Sequence, residues 1–200
     1  SPYVPGMPIT YPQYLVGGSR RVRSEVRVIE RGNTVPGFTK EMWYSEVLYF
    51  PASGFPQDSL DDETINQWFE DGGSDCLIRS MNKRMWAEVG PTARKYDLFG
   101  AVGAPPTSSQ GTASRTFAKY NFNQWYQFVF HYIWDGGSAG LCEIWRDGVK
   151  IQTINGPTLH TSMYPNWKIG IYKSGYTVHP GRSTAAVRTF FIDNIRMGDS

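Results

Sequence analysis

The sequence predicts an all-β fold of two packed sheets, and three observations support this prediction. The 200 residues include 21 glycines and 13 prolines, which helical bundles use sparingly and which sandwiches and barrels need at their turns. Aromatic residues make up 15% of the chain, and many stand in short runs with valine and isoleucine, bounded by Gly, Pro, Asn or Asp. No window keeps a helical hydrophobic period over three turns.

The predicted strands follow one another along the chain with turn residues between them. They are Val22–Ile29, Trp43–Phe50, Thr64–Glu70, Cys76–Met81, Trp125–Trp134, Leu141–Arg146, Val149–Ile154, Trp167–Lys173 and Val187–Met197. Asp147-Gly148 is the strongest hairpin signal in the sequence, because type I′ turns favour Asp-Gly. Asp58–Glu63 predicts one short helical turn, and Gly100–Ser114 predicts a long loop within the domain.

Length and composition indicate one domain and exclude several classes of protein. No linker or repeat divides residues 1–200, although 1–19 show no regular pattern, and a chain of 22.6 kDa can bury a large core. The formal net charge of +2 does not favour nucleic acid, and no apolar run approaches the roughly 20 residues of a membrane helix. The chain starts at Ser1 without a signal-like stretch, as a processed form would. We expect a monomer that binds neither nucleic acid nor membranes.

Cysteines and histidines show no metal signature. Cys76 and Cys142 fall in strand-like segments, where they either form one disulfide between adjacent strands or remain two buried thiols. The three histidines are scattered, and no cluster has the spacing of a zinc site. We expect no cofactor and no catalytic metal. A structural calcium is compatible with such a sandwich, but Asp61-Asp62 is more simply a solvated turn.

Two predicted strands alternate apolar side chains with charged or aromatic ones. In Arg20–Val28, one face carries Val22, Val26 and Val28, and the other carries Arg21, Arg23, Glu25 and Arg27. In Trp167–Lys173, one face carries Trp167, Ile169 and Ile171, and the other carries Lys168, Gly170 and Tyr172. We expect the apolar faces to lie between the sheets. A solvated face with a Glu25–Arg salt bridge explains one such strand, whereas two favour an open sheet that binds an anionic ligand.

Three segments resemble, in order, the signature motifs of jelly-roll polysaccharide lyases with a concanavalin-A-like sandwich. The alginate lyases of that fold carry RSELR, QIH and YFKAGVY motifs. The counterparts here are RSEVR (Arg23–Arg27), NQWF (Asn66–Phe69) and NWKIGIY (Asn166–Tyr172).

The heparin-lyase-like and glucuronan-lyase-like branch is similar over more of the chain. Its members read W-x-x-F-V-F-H, then E-V-W-x-D/N-G, then K-x-G-I-Y, and end in D-N/E-I/V-R. The counterparts are WYQFVFH (Trp125–His131), EIWRDG (Glu143–Gly148), KIGIY (Lys168–Tyr172) and FFIDNIRMG (Phe190–Gly198). The resemblance, from about Arg20 to the C-terminus, implies a two-sheet antiparallel β-jelly roll almost without helix.

The resemblance also implies cleavage of a uronic-acid polysaccharide by β-elimination. This reaction removes the C5 proton beside the carboxylate and expels the sugar linked through O4, so the site must neutralise the carboxylate and transfer two protons. Tyr172 is the candidate for proton transfer, with Lys168 on the same strand face, and Gln67 is the candidate that donates its amide to the carboxylate. The alternative for Tyr172 is a tyrosine that only caps the sheet.

Five further residues are candidates for the site. Arg23 and Arg27 are expected to bind substrate carboxylates or to pair with Glu25, and Trp68 and Tyr176 to stack on sugar rings. Two residues after Gln67, where the family motif has histidine, this chain has Phe69, so His131 is the alternative base. His131 alternates with Val129 and Ile133, which predicts an inward position and equally fits a core or rim histidine.

Two other functions remain open. A carbohydrate-binding module of the same fold would hold an anionic polysaccharide without cutting it; the missing histidine favours this alternative, and the retained Gln67, Lys168 and Tyr172 oppose it. A glycoside hydrolase needs two carboxylates about 5–9.5 Å apart, usually as E-x-D-x-x-E, and no segment has that pattern. We expect a secreted or periplasmic protein.

Overall fold

The computed structural model describes most of the chain as β-structure. The described residues are 8–10, 22–27, 40–56, 58, 62–70, 73–81, 83–90, 94–97, 120–159, 165–173, 183, 185 and 187–199. These residues contain no helix, and therefore no helix long and apolar enough to cross a membrane. Asp58 and Asp62 are not helical, and residues 59–61 of the predicted turn lie outside the described part.

Twelve strands are present within the described ranges. They are β1 Pro8–Thr10, β2 Val22–Arg27, β3 Glu41–Tyr49, β4 Glu63–Glu70, β5 Gly73–Met81, β6 Arg84–Val89, β7 Arg94–Asp97, β8 Trp125–Ile133, β9 Leu141–Arg146, β10 Val149–Asn155, β11 Asn166–Lys173 and β12 Thr189–Gly198. All nine predicted strands are confirmed, whereas β1, β6 and β7 were not predicted. β1 corrects the expectation that residues 1–19 are irregular; three residues are too few to show alternation.

The strands form two six-stranded antiparallel sheets. Sheet A has the order β1-β12-β3-β8-β9-β10, and sheet B has the order β2-β11-β4-β5-β6-β7. Five of the ten neighbouring pairs join strands that are not consecutive in sequence, and the chain crosses repeatedly from one sheet to the other. This arrangement confirms the predicted antiparallel β-jelly-roll sandwich.

The turn between β9 and β10 confirms the predicted hairpin. Asp147 and Gly148 have φ angles of 51° and 79°, and Arg146 pairs with Val149 on the other side of the turn. Positive φ at both central residues is the type I′ geometry, whose twist matches that of the flanking strands.

An aromatic core fills the space between the sheets. Trp68 and Trp167 stack with centroids 5.9 Å apart, and Tyr132 and Trp134 stack at 4.2 Å. Cys76 and Cys142 are both buried free thiols, so of the two alternatives open for the cysteines the structure shows the unbonded one. The Tyr132 hydroxyl donates a hydrogen bond to the Cys76 Sγ atom at 2.8 Å, which satisfies a polar group in the core.

One expectation about the sheet interior is wrong. Val26 lies opposite Ile169 in the register of β2 and β11, but it is 49% exposed whereas Ile169 is fully buried. The reason is its position, because β2 is the edge strand of sheet B and an edge strand has a neighbouring strand on one side only. The side chain of Val22 lies outside the described part.

A buried carboxyl group joins the two sheets through hydrogen bonds. Glu46 of β3 is fully buried, and its Oε1 atom accepts a hydrogen bond from the Asn66 side-chain amide of β4. The Asn66 Oδ1 atom in turn accepts from the Trp167 indole of β11 at 3.1 Å. Burial raises the pKa of Glu46 to about 8, so the group is mostly protonated at neutral pH.

Replacing this carboxyl group should change the pH dependence of stability. Because the native pKa of Glu46 exceeds the unfolded value, the native state holds a proton that the unfolded chain releases, and stability falls as pH rises toward about 8. Glu46→Gln keeps an acceptor for Asn66 and has no proton to lose. We expect the variant to exceed wild type by more than about 1 kcal/mol at pH 8 and to lose most of this advantage at pH 5. Urea unfolding between pH 5 and 9 measures both curves, and parallel curves would contradict the prediction.

Four charged side chains form a buried cluster at the end of β11. The Lys173 Nζ atom lies 3.0 Å from Asp58 Oδ2 and 3.1 Å from Glu63 Oε2, and all three side chains are 0% exposed. Arg188 donates to the other Glu63 carboxylate oxygen, and the Ser183 hydroxyl donates to Asp58 at 2.6 Å. Two cations therefore balance two anions inside the protein, and the cluster joins β4 and β11 to the segments around residues 58, 183 and 188.

Removing one charge from this cluster should be strongly destabilising. Lys173→Met keeps the length of the side chain but leaves Asp58 and Glu63 with one cation, which should cost about 3–5 kcal/mol. The control is Lys150→Met, which breaks a pair with Glu143 in which Lys150 is 49% exposed and should cost less than about 1 kcal/mol. Urea unfolding measures both variants. Equal free energies of unfolding would contradict the prediction that the buried cluster stabilises the protein more than the exposed pair does.

Candidate active site

The candidate site lies on the face of sheet B that points away from the core. Trp167, Ile169 and Ile171 of β11 are all buried in the core, so the residues between them, Lys168 and Gly170, and the next, Tyr172, belong to the opposite face. This face is called the outer face of sheet B below.

Register places the predicted residues of three strands side by side. Lys168 lies directly opposite Gln67 of β4 on one side and opposite Arg27 of β2 on the other. Tyr172 lies opposite Arg23, and three residues of β11 separate it from Lys168. Directly paired residues of an antiparallel sheet share a face, so the structure brings the positions of Arg23, Arg27, Gln67, Lys168 and Tyr172 together.

A β-bulge lies between Lys168 and Tyr172. Ile169 pairs with Asn66 and Tyr172 pairs with Thr64, so Gly170 and Ile171 together oppose one residue of β4. Gly170 has a φ angle of 150°, a backbone conformation that residues with a side chain rarely adopt. The KIGIY motif therefore has glycine at the one position where the strand departs from regular geometry.

Lys168 is held close to the sheet. Its side chain is 7% exposed, and the Nζ atom lies 4.2 Å from the centroid of the Phe69 ring on β4. This cation–π contact keeps the ammonium above the strand that carries Gln67. Phe69 thus supports Lys168 at the place where the family motif has histidine.

Gln67 is bonded to a residue that sequence reasoning placed in the site only as an ion-pair partner. Its Nε2 atom donates to Glu25 Oε1 at 2.5 Å. Glu25 belongs to β2, which is separated from β4 by β11, and it lies opposite Gly170 in the register. The Glu25 side chain therefore crosses β11 above the residue that has no side chain.

Arg79 is a residue of this face that sequence reasoning missed. It lies opposite Thr64, which in turn lies opposite Tyr172, so Arg79 continues the row of Tyr172 across the sheet. Its Nε atom lies 2.6 Å from Asp62 Oδ2 and 3.8 Å from Glu88 Oε1. Alternation could have revealed it, since Cys76, Ile78 and Ser80 of the same strand are buried.

Trp68 is not in the site, and its predicted stacking on sugar is wrong. The side chain is fully buried between the sheets, with its ring 5.1 Å from that of Phe130 and 5.5 Å from that of Tyr44. The reason is the pleat of the strand: successive residues point to opposite faces, so Gln67 and Trp68 cannot both face the substrate.

His131 lies on the other sheet, on its outer face, so the predicted inward position is wrong. Its ring stacks on Trp43 with centroids 4.1 Å apart, and its nitrogens lie 3.0 Å from Glu143 and 2.8 Å from Glu41. Hydrogen bonds from Lys150 and then His131 hold the pKa of Glu143 below its usual value. The residues of β8 that are buried in the core are Tyr126, Phe128, Phe130 and Tyr132. The structure therefore separates His131 from Gln67, Lys168 and Tyr172.

The remaining predictions concern groups that the structure does not describe. The side chains of Arg23 and Arg27 and the whole of Tyr176 lie outside the described part, so their roles stay predictions. Among the described residues, no group of three or more His, Cys, Asp or Glu side chains is arranged to hold a metal ion.

The glycine of the bulge provides a test of this geometry. Gly170→Ala places a methyl group at a φ of 150°, where strain should cost about 1–3 kcal/mol, and puts it beneath the Glu25 side chain. The control is Gly198→Ala near the end of β12, where an added Cβ meets no atom within 4 Å, so stability should change by less than about 1 kcal/mol. Thermal and urea unfolding compare the two variants. A Gly170→Ala protein as stable as the control would contradict the expected backbone strain at position 170.

Solved structures with the same fold include enzymes of two kinds. The endo-β-1,4-glucuronan lyase of the fungus Trichoderma reesei is 16% identical, with a TM-score of 0.65 over 98% of this chain and 81% of that chain. The alginate lyase of Klebsiella pneumoniae is 12% identical, with a TM-score of 0.65 over 98% of this chain and 81% of that chain. A glycoside hydrolase family 131 catalytic domain of Coprinopsis cinerea is 14% identical, with a TM-score of 0.59 over 98% of this chain and 70% of that chain. These likenesses show the fold alone.

The sequence itself distinguishes between these kinds of enzyme. No curated protein sequence is significantly similar to the chain, but the family model described as polysaccharide lyase matches residues 4–196. This range includes the three motif segments and every candidate residue of the outer face of sheet B. The chain therefore belongs to the polysaccharide lyase family, and the protein is a polysaccharide lyase.

Proposed function

We propose that the outer face of sheet B cleaves a uronic-acid-containing polysaccharide by β-elimination. One observation carries this proposal: the Lys168 ammonium, the Gln67 amide and the Tyr172 phenol belong to one face of two neighbouring strands. These groups match the needs of the reaction, which are stabilisation of a developing charge on the carboxylate and transfer of two protons.

Gln67 and Lys168 are suited to the carboxylate. They lie directly opposite one another in the register, so a carboxylate held by the Gln67 amide would lie close to the Lys168 ammonium. Charge that builds on the carboxylate after the C5 proton leaves would meet an N–H donor and a cation. Both groups are already oriented by neighbours in the protein, Glu25 and Phe69, which reduces reorganisation during the reaction.

Tyr172 is suited to proton transfer. It lies four residues from Lys168, roughly 13 Å along the strand at about 3.3 Å per residue, so only their long side chains can meet at one sugar. Of the described residues on this face, none is a histidine, and a phenol can serve first as base and then as acid when nearby cations stabilise the phenolate. Tyr172 therefore takes both proton transfers in this proposal.

An anionic substrate is supported by the charges around the site. The positions of Arg23 and Arg27 flank Tyr172 and Lys168, and Arg79 lies in the same row as Tyr172. The similar structures named above include enzymes that act on glucuronan and alginate, both of which are polyuronates. We further propose that the protein is a secreted or periplasmic monomer. It needs no cofactor in this proposal, because elimination beside a carboxylate can proceed with protein groups alone.

Removing one oxygen atom should test the role of Tyr172. Tyr172→Phe keeps the ring and its packing but removes the group that carries the proton, so we expect turnover to fall by about 10²–10⁴-fold or more while binding of the polymer is nearly unchanged. A panel of polyuronates, followed by the ultraviolet absorbance of the unsaturated product, measures turnover. Calorimetry with the same polymers measures binding.

Two further variants are compared with Tyr172→Phe. Lys168→Ala should weaken binding and turnover together, because a cation facing a carboxylate acts in the ground state and in the transition state. His131→Gln should leave both unchanged, because His131 lies on sheet A. Wild-type protein that binds a polyuronate without forming any unsaturated product would instead indicate a binding module. A Tyr172→Phe protein as active as wild type would move the base elsewhere.

A further inference from the structure

The hydrogen bond between Glu25 and Gln67 spans three strands. Glu25 is on β2 and Gln67 is on β4, and the strand between them, β11, contributes Gly170 beneath the Glu25 side chain. Gly170 adds no side chain to the outer face of sheet B at this point of β11. The contact of 2.5 Å therefore joins two strands that are not neighbours in the sheet, across a third strand.

The chemistry of the two groups makes this bond directional. A glutamine side chain has a carbonyl oxygen and an NH₂ group of nearly equal size, and a flip of the amide exchanges a donor for an acceptor. An ionised carboxylate accepts hydrogen bonds and donates none, so it stabilises only the orientation in which the NH₂ group points toward it. In this structure the Gln67 Nε2 atom lies on the side of β11, the strand that also carries Lys168 and Tyr172.

We propose that Glu25 is a positioning residue that holds the Gln67 amide with its NH₂ group toward β11, so that the second N–H is presented to the uronate carboxylate. This inference rests on the proposed β-elimination. If the amide were flipped, its carbonyl oxygen would meet the substrate carboxylate, and two acceptors would repel each other. Glu25 thus acts through Gln67 and does not touch the substrate.

The negative charge of Glu25 allows kinetics to distinguish a positioning role from a general electrostatic effect on substrate binding. A carboxylate beside Lys168 and the positions of Arg23 and Arg27 weakens the attraction of the face for a polyanion. Glu25→Gln removes this opposing charge, which favours binding, but it also frees the Gln67 amide to flip, which weakens binding. KM should therefore change little, and the loss should appear in kcat. We expect kcat to fall by about 10–100-fold, the range of a hydrogen bond to a charged group. A residue needed only for folding would instead reduce the amount of active protein and lower Tm.

Two substitutions of Glu25 distinguish the effect of side-chain length from the effect of charge. Glu25→Gln keeps the length of the side chain but can donate as well as accept, so both amide orientations of Gln67 become possible. Glu25→Asp keeps the charge but is one methylene shorter and cannot span β11. We expect both variants to lose kcat to a similar degree; full activity of Glu25→Asp would show that charge alone matters and would overturn the proposal.

A double-mutant cycle tests whether Glu25 acts through Gln67. Gln67→Ala alone should lower kcat by about 10²–10³-fold, the cost of removing one donor to a developing negative charge. In the Gln67→Ala protein, Glu25→Gln should then change kcat by less than about 3-fold, because the group that it positions is absent. Losses that multiply in the double variant would overturn the proposal.

A spectroscopic readout keeps the test independent of turnover. The two side-chain amide protons of Gln67, identified by their absence in Gln67→Ala, should have widely separated NMR shifts in wild type because one is in a short hydrogen bond to a carboxylate. The separation should collapse in Glu25→Asp. If wild type forms no unsaturated product, the proposed function fails, and an unchanged amide signal in Glu25→Asp would overturn the positioning role by itself.

Discussion

The buried ammonium of Lys173 helps to determine which face of β11 points away from the core. It contacts Asp58 and Glu63 inside the protein, where an unpaired charge is very costly. A shift of this strand by one residue would turn Lys173 outward and leave two carboxylates buried beside Arg188 alone. The same shift would turn Lys168 and Tyr172 into the core, because the side-chain period of a strand is two. We infer that the ion cluster specifies the register on which the active site depends.

The other candidate residues have the same relation to a buried polar neighbour. Gln67 follows Asn66, whose amide contacts Glu46 of sheet A, and Lys168 follows Trp167, whose indole donates to Asn66. Each outward group is thus adjacent to an inward group that is hydrogen-bonded in the interior, across the core for Asn66 and within sheet B for Trp167. An apolar core alone would tolerate small rotations of a strand, whereas a hydrogen-bonded polar side chain in the core restricts such rotations. The hydrogen bonds of the interior therefore give the outer face of sheet B a defined geometry.

Alternation along the sequence predicts much of this fold and only part of the site. The bounds of β9 and the Asp147-Gly148 turn agree with prediction, since local patterns determine both. On β4 the pattern fails, because Ile65 and Asn66 are both buried at a bulge and the phase of the strand changes there. On β8 both faces carry large side chains, so periodicity alone could not show that His131 points outward.

Contacts across the sheet were beyond prediction for a different reason. The bond between Glu25 and Gln67 joins residues 42 positions apart, and it depends on which strand lies between theirs. Sequence reasoning paired Glu25 with its neighbouring arginines, the partners that a single strand offers. Only the strand order β2-β11-β4 and the register show that this bond crosses β11 from a position opposite Gly170.

The presence of Glu25 on this face limits what kind of ligand the site favours. Its negative charge opposes any anion that approaches Lys168, so it is tolerable only if the cations outweigh it or if it contributes something else. In the proposed function, a uronate compensates for that opposition through the Gln67 amide, the group to which Glu25 is hydrogen-bonded. A neutral sugar offers the Gln67 amide no charged acceptor, and hydrogen bonds to charged groups are the stronger ones. In the proposed function, selectivity for an acidic sugar therefore comes from this hydrogen bond as well as from the positive charge of the face.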